Sequence, residues 1–288
     1  MPRQVLLVVN RDRPEAAASA QAVAQLIRQH GSLLAEIDSS ADNLRELAEK
    51  AGLVVVLGGD GSILGVARRL AGLPVPMLGV NFGRLGFIAE FELHLLPEVA
   101  PELFGDKPIP SRTASLLSVT ARGPDGGQTD KGVALNEAVI TAGSPFRVIR
   151  LALTIDGRPG PIFHGDGLIV SAPTGSTAYN LSAGGPIMAP TVDAMIITPI
   201  APHSLSFRPL VVPGSAMVDL HVLRANEDAD CGTTLILDGQ VMTPVKTGTV
   251  VSIRRSQRTV HFAVNPRHDF WAALTSKLRW AESPRMRQ

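Results

Sequence analysis

The sequence predicts an α/β domain with a parallel, Rossmann-like sheet, then an all-β domain and a closing helix. Over the first hundred residues, β-branched apolar runs alternate with stretches of helical periodicity. From Arg112 onward, short alternating runs punctuated by Gly, Pro, Asp and Asn replace the helices. A third observation is the cluster Gly58-Gly59-Asp60-Gly61-Ser62. It directly follows the run Leu53–Leu57 and precedes the periodic Ile63, Leu64, Val66, Ala67 and Leu70, which reads as strand, tight turn and helix.

Taken in order, 4–10 is an apolar strand, 15–30 an Ala-rich helix, and 33–37 a second strand. Residues 43–50 read as a helix, Leu53–Leu57 as the strand feeding the glycine turn, 62–71 as the next helix, and 75–80 as a further strand. Strands separated by helices imply parallel pairing through right-handed crossovers. Ligands of such sheets gather beyond the carboxyl ends of the strands, where 58–62 falls. Near 97–110 the texture changes. The runs 115–121, 133–141, 148–155, Gly167–Ser171, 217–223, 233–237, 249–254 and 259–264 are read as strands, and 268–282 returns to helical spacing. The domains predicted are 1–108 (α/β, nucleotide and phosphate binding), 109–266 (β-rich) and 267–288, a helix packing back on the first domain.

Composition narrows the function. The 288 residues are 45% hydrophobic and 18% charged with net charge +1, which argues against nucleic acid or an anionic membrane as the main partner. One cysteine, Cys231, rules out an intrachain disulfide and favours a reducing cytoplasm. The most apolar candidate span, 194–205, is interrupted by Pro199 and Pro202 and is too short to cross a bilayer. No signal pattern precedes the first strand.

The glycine turn carries the chemistry. Glycines let the backbone turn sharply and approach a ligand, and a helix N-terminus offers N–H groups and a positive dipole end to a phosphate. A carboxylate there, Asp60, is repulsive to phosphate unless it holds Mg²⁺ or takes a proton from an attacking hydroxyl. The other reading of Asp60 is a turn or N-cap residue. The dinucleotide fingerprint fails because Leu64 stands where its third glycine belongs, and no Gly-Lys-Ser/Thr follows for the common phosphate loop.

Two later stretches add polar residues where strands should alternate. Asn136 and Glu137 adjoin within an apolar run; neighbours in a strand face opposite ways, so they share a ligand only at a strand end or bulge. His164-Gly165-Asp166-Gly167 and the run from Ser171 through Thr174, Thr177, Ala178 and Tyr179 to Pro186 concentrate glycines, hydroxyls and the only tyrosine, a lining suited to a nucleoside. The histidines, including His203, His221 and His261, lack ligand-like spacing, so no protein-held metal is expected.

In this order, Gly58-Gly59-Asp60-Gly61, Asn136-Glu137, Asp166-Gly167, Pro173-Thr174-Gly175-Ser176-Thr177-Ala178-Tyr179, the His203–Pro209 stretch and Asp238-Gly239-Gln240, the chain closely resembles the NAD kinase family. The resemblance implies transfer of the γ-phosphate of ATP to the 2′-hydroxyl of the adenosine ribose of NAD, with Mg²⁺ accompanying ATP and inorganic polyphosphate an alternative donor in some members. It implies Asp60 as the general base, with Gly58, Gly59, Gly61 and Ser62 seating phosphates. Glu137 would hold a ribose hydroxyl and Asn136 the adenine or ribose. Asp166, Thr174, Thr177, Ala178 and Tyr179 would line the dinucleotide pocket, and Asn180, Leu181, Ser182 and Gln240 lie in matching stretches. The family forms oligomers, so the resemblance implies a homodimer or homotetramer whose pocket crosses a subunit interface. His164 stands where Arg or Gly would mark a preference, so the oxidation state of the dinucleotide stays open. Arg147 reads either as a phosphate contact or as an exposed strand arginine. The other readings are a related diacylglycerol- or sphingosine-type lipid kinase, a phosphofructokinase, for which Thr154-Ile155-Asp156 is a decoy, and a non-catalytic nicotinamide-nucleotide binder.

Overall fold

The computed structural model describes residues 2–82, 87–227, 232–267, 269–278 and 280. Cys231 and the tail after Leu278, apart from Trp280, lie outside them. The chain divides into two compact units, Met1–Thr113 with Val260–Gln288, and Ala114–Thr259.

The first unit is an α/β layer structure. Strands β1 (Gln4–Val9), β2 (Ser32–Asp38), β3 (Leu53–Leu57) and β4 (Pro76–Asn81) pair in parallel in the order β4-β3-β1-β2. They are joined through α1 (Pro14–His30), α2 (Leu44–Glu49) and α3 (Asp60–Leu70). β1 from Val5 and all of β3 are buried, which is why they read as unbroken apolar runs rather than alternating ones. α1 sets Ala16, Ala20, Val23, Ala24 and Ile27 against this sheet, the 3.6-residue stripe that the Ala-rich sequence implied. A short strand β5 (Phe91–Glu92) pairs with β4 and leads into α4 (Leu96–Phe104), a helix with Pro97 in its first turn and Pro101 inside.

The second unit packs two antiparallel sheets over one core. It contains β6 (Ser111–Arg122), β7 (Gln128–Ala134), β8 (Glu137–Thr141), β9 (Ile149–Ile155), β10 (Arg158–Gly165), β11 (Gly167–Ser171), the single turn α5 (Tyr179–Ser182), β12 (Ala194–Ile200), β13 (Leu210–Pro213), β14 (Met217–Arg224), β15 (Thr234–Leu237), β16 (Val241–Pro244) and most of β17 (Val250–Ala263). One sheet runs β13-β12-β11-β8-β15-β16; the other contains β10-β9-β14-β17 with the β6–β7 hairpin. Ile140, Leu168, Val170, Ile197 and Leu235 of the first meet Leu151, Phe163, Val218, Leu220 and Ile253 of the second. Each such side chain contributes about 1.5–3 kcal/mol on burial. Asp156 and Gly157, both with positive φ, form the two-residue turn between β9 and β10, so the Thr154-Ile155-Asp156 triplet is a hairpin corner.

β17 leaves the second unit and pairs in parallel with β4 through His261 and Phe262. The returning segment is fastened to the first unit by buried Glu90. Its carboxylate accepts from Arg112 Nε at 2.9 Å and from the Asn265 N–H at 3.1 Å, while Asn265 Nδ2 donates to the Glu90 carbonyl at 2.9 Å. The last helix, α6 (Phe270–Leu278), belongs to the same unit, with Phe270 tilted against Phe87 at 6.3 Å between ring centroids. The expected α/β and all-β parts with a returning helix are thus observed.

Three segments differ from the sequence reading. Residues 133–141 form not one strand but two, β7 and β8, parted at Leu135-Asn136. Residues 249–254 and 259–264 belong to one strand, β17, which runs on through the exposed Arg254, Arg255, Gln257 and Arg258; β14 pairs with it as far as Arg254, and β6 pairs with it as well. Residues 194–200, considered above only as a membrane candidate, form the buried strand β12, and no helix among the described residues is long and apolar enough to cross a membrane.

Candidate active site

In the first unit the site is the β3–α3 turn. Gly59 is the N-cap of α3 with extended backbone, and Asp60 takes the first helical position, where a carboxylate is favoured by the helix dipole. The N–H groups of Ser62 and Ile63 return to the Gly59 carbonyl at 2.9 and 3.2 Å. Asn10 Nδ2 donates to Ser62 Oγ at 2.7 Å, fixing the loop after β1 beside the turn. Asp60 Oδ1 is buried without a hydrogen-bond partner. A buried carboxylate oxygen left unpaired costs about 1–3 kcal/mol or more, and this one is chemically able to accept from a hydroxyl or to meet a cation.

Lys277 of α6 carries no sequence signal of its own. Its ammonium lies 5.1 Å from the Phe87 ring centroid. Burial pushes its pKa down, and the charge on Asp60 opposes that shift, so the cation and the carboxylate feel one another. No sequence pattern links two residues so far apart; only α6 returning to this unit does.

In the second unit Asn136 and Glu137 stand where β7 has ended and β8 begins, the strand-end arrangement that lets adjacent side chains serve one place. The cause is Asp238. Its carboxylate accepts the N–H groups of Leu135, Asn136 and Glu137 at 2.9, 2.7 and 3.2 Å, and its own N–H donates to the Glu137 carbonyl at 3.0 Å. Asp238 holds φ at +52°, a conformation Asp tolerates better than most residues. The Asp-Gly-Gln turn after an apolar strand is the sequence signal for this residue. Asn136 Oδ1 and Glu137 Oε2 are buried without hydrogen-bond partners. Burial, with the Asp238 carboxylate adding to it, pushes the Glu137 carboxyl up to about 8, so at neutral pH it is mostly protonated.

The loop after β11 closes on the same strand end. The Asn136 carbonyl accepts from the Ala172 N–H at 2.8 Å and from Ser171 Oγ at 3.2 Å. A Cβ on Gly175 would lie 2.2 Å from that carbonyl oxygen, so only glycine allows the approach. Thr174 and Thr177 bound a 3₁₀ turn, followed by Ala178 and the exposed Tyr179. Buried Ser176 is satisfied twice by the Met188 backbone. Asn180 is a different kind of residue from the lining expected. It is fully buried, its amide donates to the carbonyls of Ser176 and Pro186 at 3.1 Å each, and its oxygen accepts from Thr198 Oγ1 at 2.6 Å. It shapes the loop and leaves no group for a ligand. Leu181 is half-buried, whereas Ser182 and Gln240 are exposed.

Asn136, Glu137, Ser171–Thr177 and Asp238–Gln240 therefore gather at one end of the six-stranded sheet, because β8 is antiparallel to both β11 and β15. Asp166 and His164 do not. Asp166 precedes β11 at the opposite end, where its carbonyl accepts the Ala142 N–H, and both side chains are solvent-exposed. Ser171 lies five residues further along the chain, about 17 Å away at roughly 3.3 Å per residue of strand. Arg147 is exposed, and its carbonyl accepts Asn226 Nδ2 at 2.7 Å.

Comparison with known proteins follows the same division. The ATP-NAD kinase N-terminal domain model matches residues 35–107 and the C-terminal domain model matches 135–264. An NAD kinase of Geotalea daltonii is 42% identical over 82% of this chain and 81% of its own length. One of Cupriavidus pinatubonensis is 39% identical over 83% and 76%. Among solved structures, yeast NADH kinase complexed with NADH superposes with a TM-score of 0.84, 23% identity, and coverage of 100% of this chain and 91% of that one. An Archaeoglobus fulgidus NAD kinase in complex with ATP gives a TM-score of 0.73, 24% identity, and coverage of 96% and 99%. At these identities the two structures speak for the fold, while the domain matches and the relatives' shared sequence establish descent: this chain belongs to the NAD kinase family.

Proposed function

We propose that this chain transfers the γ-phosphoryl group of ATP to the 2′-hydroxyl of the adenosine ribose of NAD, giving NADP and ADP. The observation that carries the reading is the unpartnered Asp60 oxygen in a glycine turn at a helix N-terminus, within a chain of this family. The 2′-oxygen bonds the γ-phosphorus as the bridge to the β-phosphate breaks, and Asp60 receives the hydroxyl proton late, once the alcohol has acidified. Glu137, largely protonated at neutral pH, is unsuited to be that base and suited to hold a ribose hydroxyl, while Asn136 Oδ1 accepts from the adenosine. Mg²⁺ carried on the donor phosphates would offset their charge; Asp60 is the carboxylate at the turn that would meet it, and no group of three His, Cys, Asp or Glu positioned to hold a metal occurs among the described residues. The phosphofructokinase and lipid-kinase readings fall away with the family assignment.

Asp166 and His164, at the far end of β11, serve a second copy in this proposal, which makes the working form a homo-oligomer. A mixture of two inactive proteins, Asp60→Asn and Asp166→Ala, tests it. With equal mixing and subunit exchange into dimers, one site in two within half of the dimers is intact, so about a quarter of wild-type activity returns. No recovery means that both residues act in one chain's own site. The reaction itself is read by incubating NAD, ATP and Mg²⁺ and detecting product with an NADP-specific dehydrogenase. Absence of that product overturns the proposal.

A further inference from the structure

The loop between β1 and α1 presents an arginine to the glycine turn that nothing above uses. A Cβ built on Gly59 would stand 2.9 Å from both Cζ and Nη1 of Arg13 and 3.0 Å from Nη2. The guanidinium therefore lies broadside against the Gly59 backbone, an approach no other residue type at 59 permits. The loop is held there by its neighbours: the Asn10 N–H donates to the Leu57 carbonyl at 3.0 Å, the Arg13 N–H to the Asn10 carbonyl at 3.2 Å, and Asn10 Nδ2 to Ser62 Oγ.

The charge placement runs against local preference. Arg13 is the N-cap of α1, with Pro14 next and no side-chain cap, so a cation sits at the positive end of that helix and beside the positive end of α3. Such a placement costs about 0.3–1 kcal/mol at a surface. Among the described residues the guanidinium has no ion pair or hydrogen-bond acceptor, whereas Arg11, two residues earlier, is paired with Glu36 at 2.9 Å. Asp12, between them, gives its N–H to Asn10 Oδ1 and is exposed to solvent. Arg13 is solvent-exposed, so its five N–H donors, set against the Gly59 turn at two helix N-termini and unpaired within the protein, are open to a planar bidentate anion.

We propose that Arg13 is a substrate-binding residue that grips the terminal phosphates of the polyphosphate donor, its orientation set by contact with Gly59. The proposal rests on the kinase reading for the identity of the donor but not for the existence of the anion site. A phosphoanion there replaces solvent as the acceptor and offsets the cation beside both helix N-termini.

The test compares wild type, Arg13→Ala and Arg13→Lys by calorimetric binding of inorganic tripolyphosphate, with the KM values for ATP and NAD measured in parallel. Arg13→Ala is expected to weaken tripolyphosphate at least tenfold and raise the KM for ATP by a similar factor, leaving the KM for NAD and the thermal midpoint unchanged. Arg13→Lys is expected to recover only part of this, since an ammonium cannot present the planar fork. Undiminished tripolyphosphate binding in Arg13→Ala, or no binding by wild type, overturns the assignment. If wild type made no NADP yet lost tripolyphosphate binding on Arg13→Ala, the kinase reading would fail and the anion site would stand.

Discussion

Glu137→Gln isolates the cost of burying a carboxyl at the strand end. Below pH 4.5 the acid is protonated in both the folded and the unfolded chain, and above about 8 it is ionised in both. Between those limits the unfolded chain has released a proton that the native chain keeps, so native stability falls as pH rises, by about 1.4 kcal/mol per pH unit. Integrated from pH 5 to pH 8, the group removes about 3–4 kcal/mol from the wild type. Glutamine has the shape of the neutral acid and does not titrate. The variant is expected to match wild type within about 1 kcal/mol at pH 5 and to exceed it by about 3 kcal/mol at pH 8. Urea unfolding without nucleotide at pH 5, 6, 7 and 8, taken as the difference between the two proteins, removes every other titration common to both. A difference that stays flat across this range would refute the reasoning, because it would mean that Glu137 ionises as freely in the fold as in water.

Two further substitutions separate shape from contact. Asn180→Ala strips three hydrogen bonds, two of them buried, and leaves the Ser176 and Pro186 carbonyls and the Thr198 hydroxyl without this partner. It should cost about 2–4 kcal/mol in chemical denaturation, with a KM for NAD close to wild type in the folded fraction. Gly175→Ala places a methyl 2.2 Å from the Asn136 carbonyl oxygen. Asn136 must then leave the strand end, so NAD affinity should fall at least tenfold by calorimetry while the donor's KM holds.

The fold was legible where one face or one run decided it. Leu53–Leu57 reads correctly because five buried apolar residues lie between Gly52 and Gly58. α3 begins at Asp60, two residues before the helix start read from the sequence, because its N-cap is Gly59, which carries no capping side chain to announce it. α4 escaped notice because Pro97 and Pro101 suppress helical expectation, although proline is tolerated in a first turn. β17 reads as two strands because its middle is charged, while pairing with β6 as well as β14 keeps it one strand in the fold. At the site, Asp60, Asn136 and Glu137 stood out as polar residues against apolar runs. Asp238, Lys277 and Arg13 did not, since each acts through a contact across the fold: three amides about a hundred residues away, the field of Asp60, and the face of Gly59. Asn180 shows the converse, a polar residue in a family-matching stretch whose side-chain groups bond to its own loop and to Thr198 of β12.

The central claim is that Asp60 serves a transfer reaction. NADP formation from NAD, ATP and Mg²⁺ by wild type and Asp60→Asn, with NAD binding and unfolding measured on the same samples, tests it most directly. The account predicts turnover by the wild type and a loss of at least a thousandfold, about 4 kcal/mol of transition-state stabilisation, in a variant that still folds and binds NAD within a few-fold. A variant that turns over like the wild type would contradict it, and the carboxylate at the head of α3 would then be a helix-start residue only.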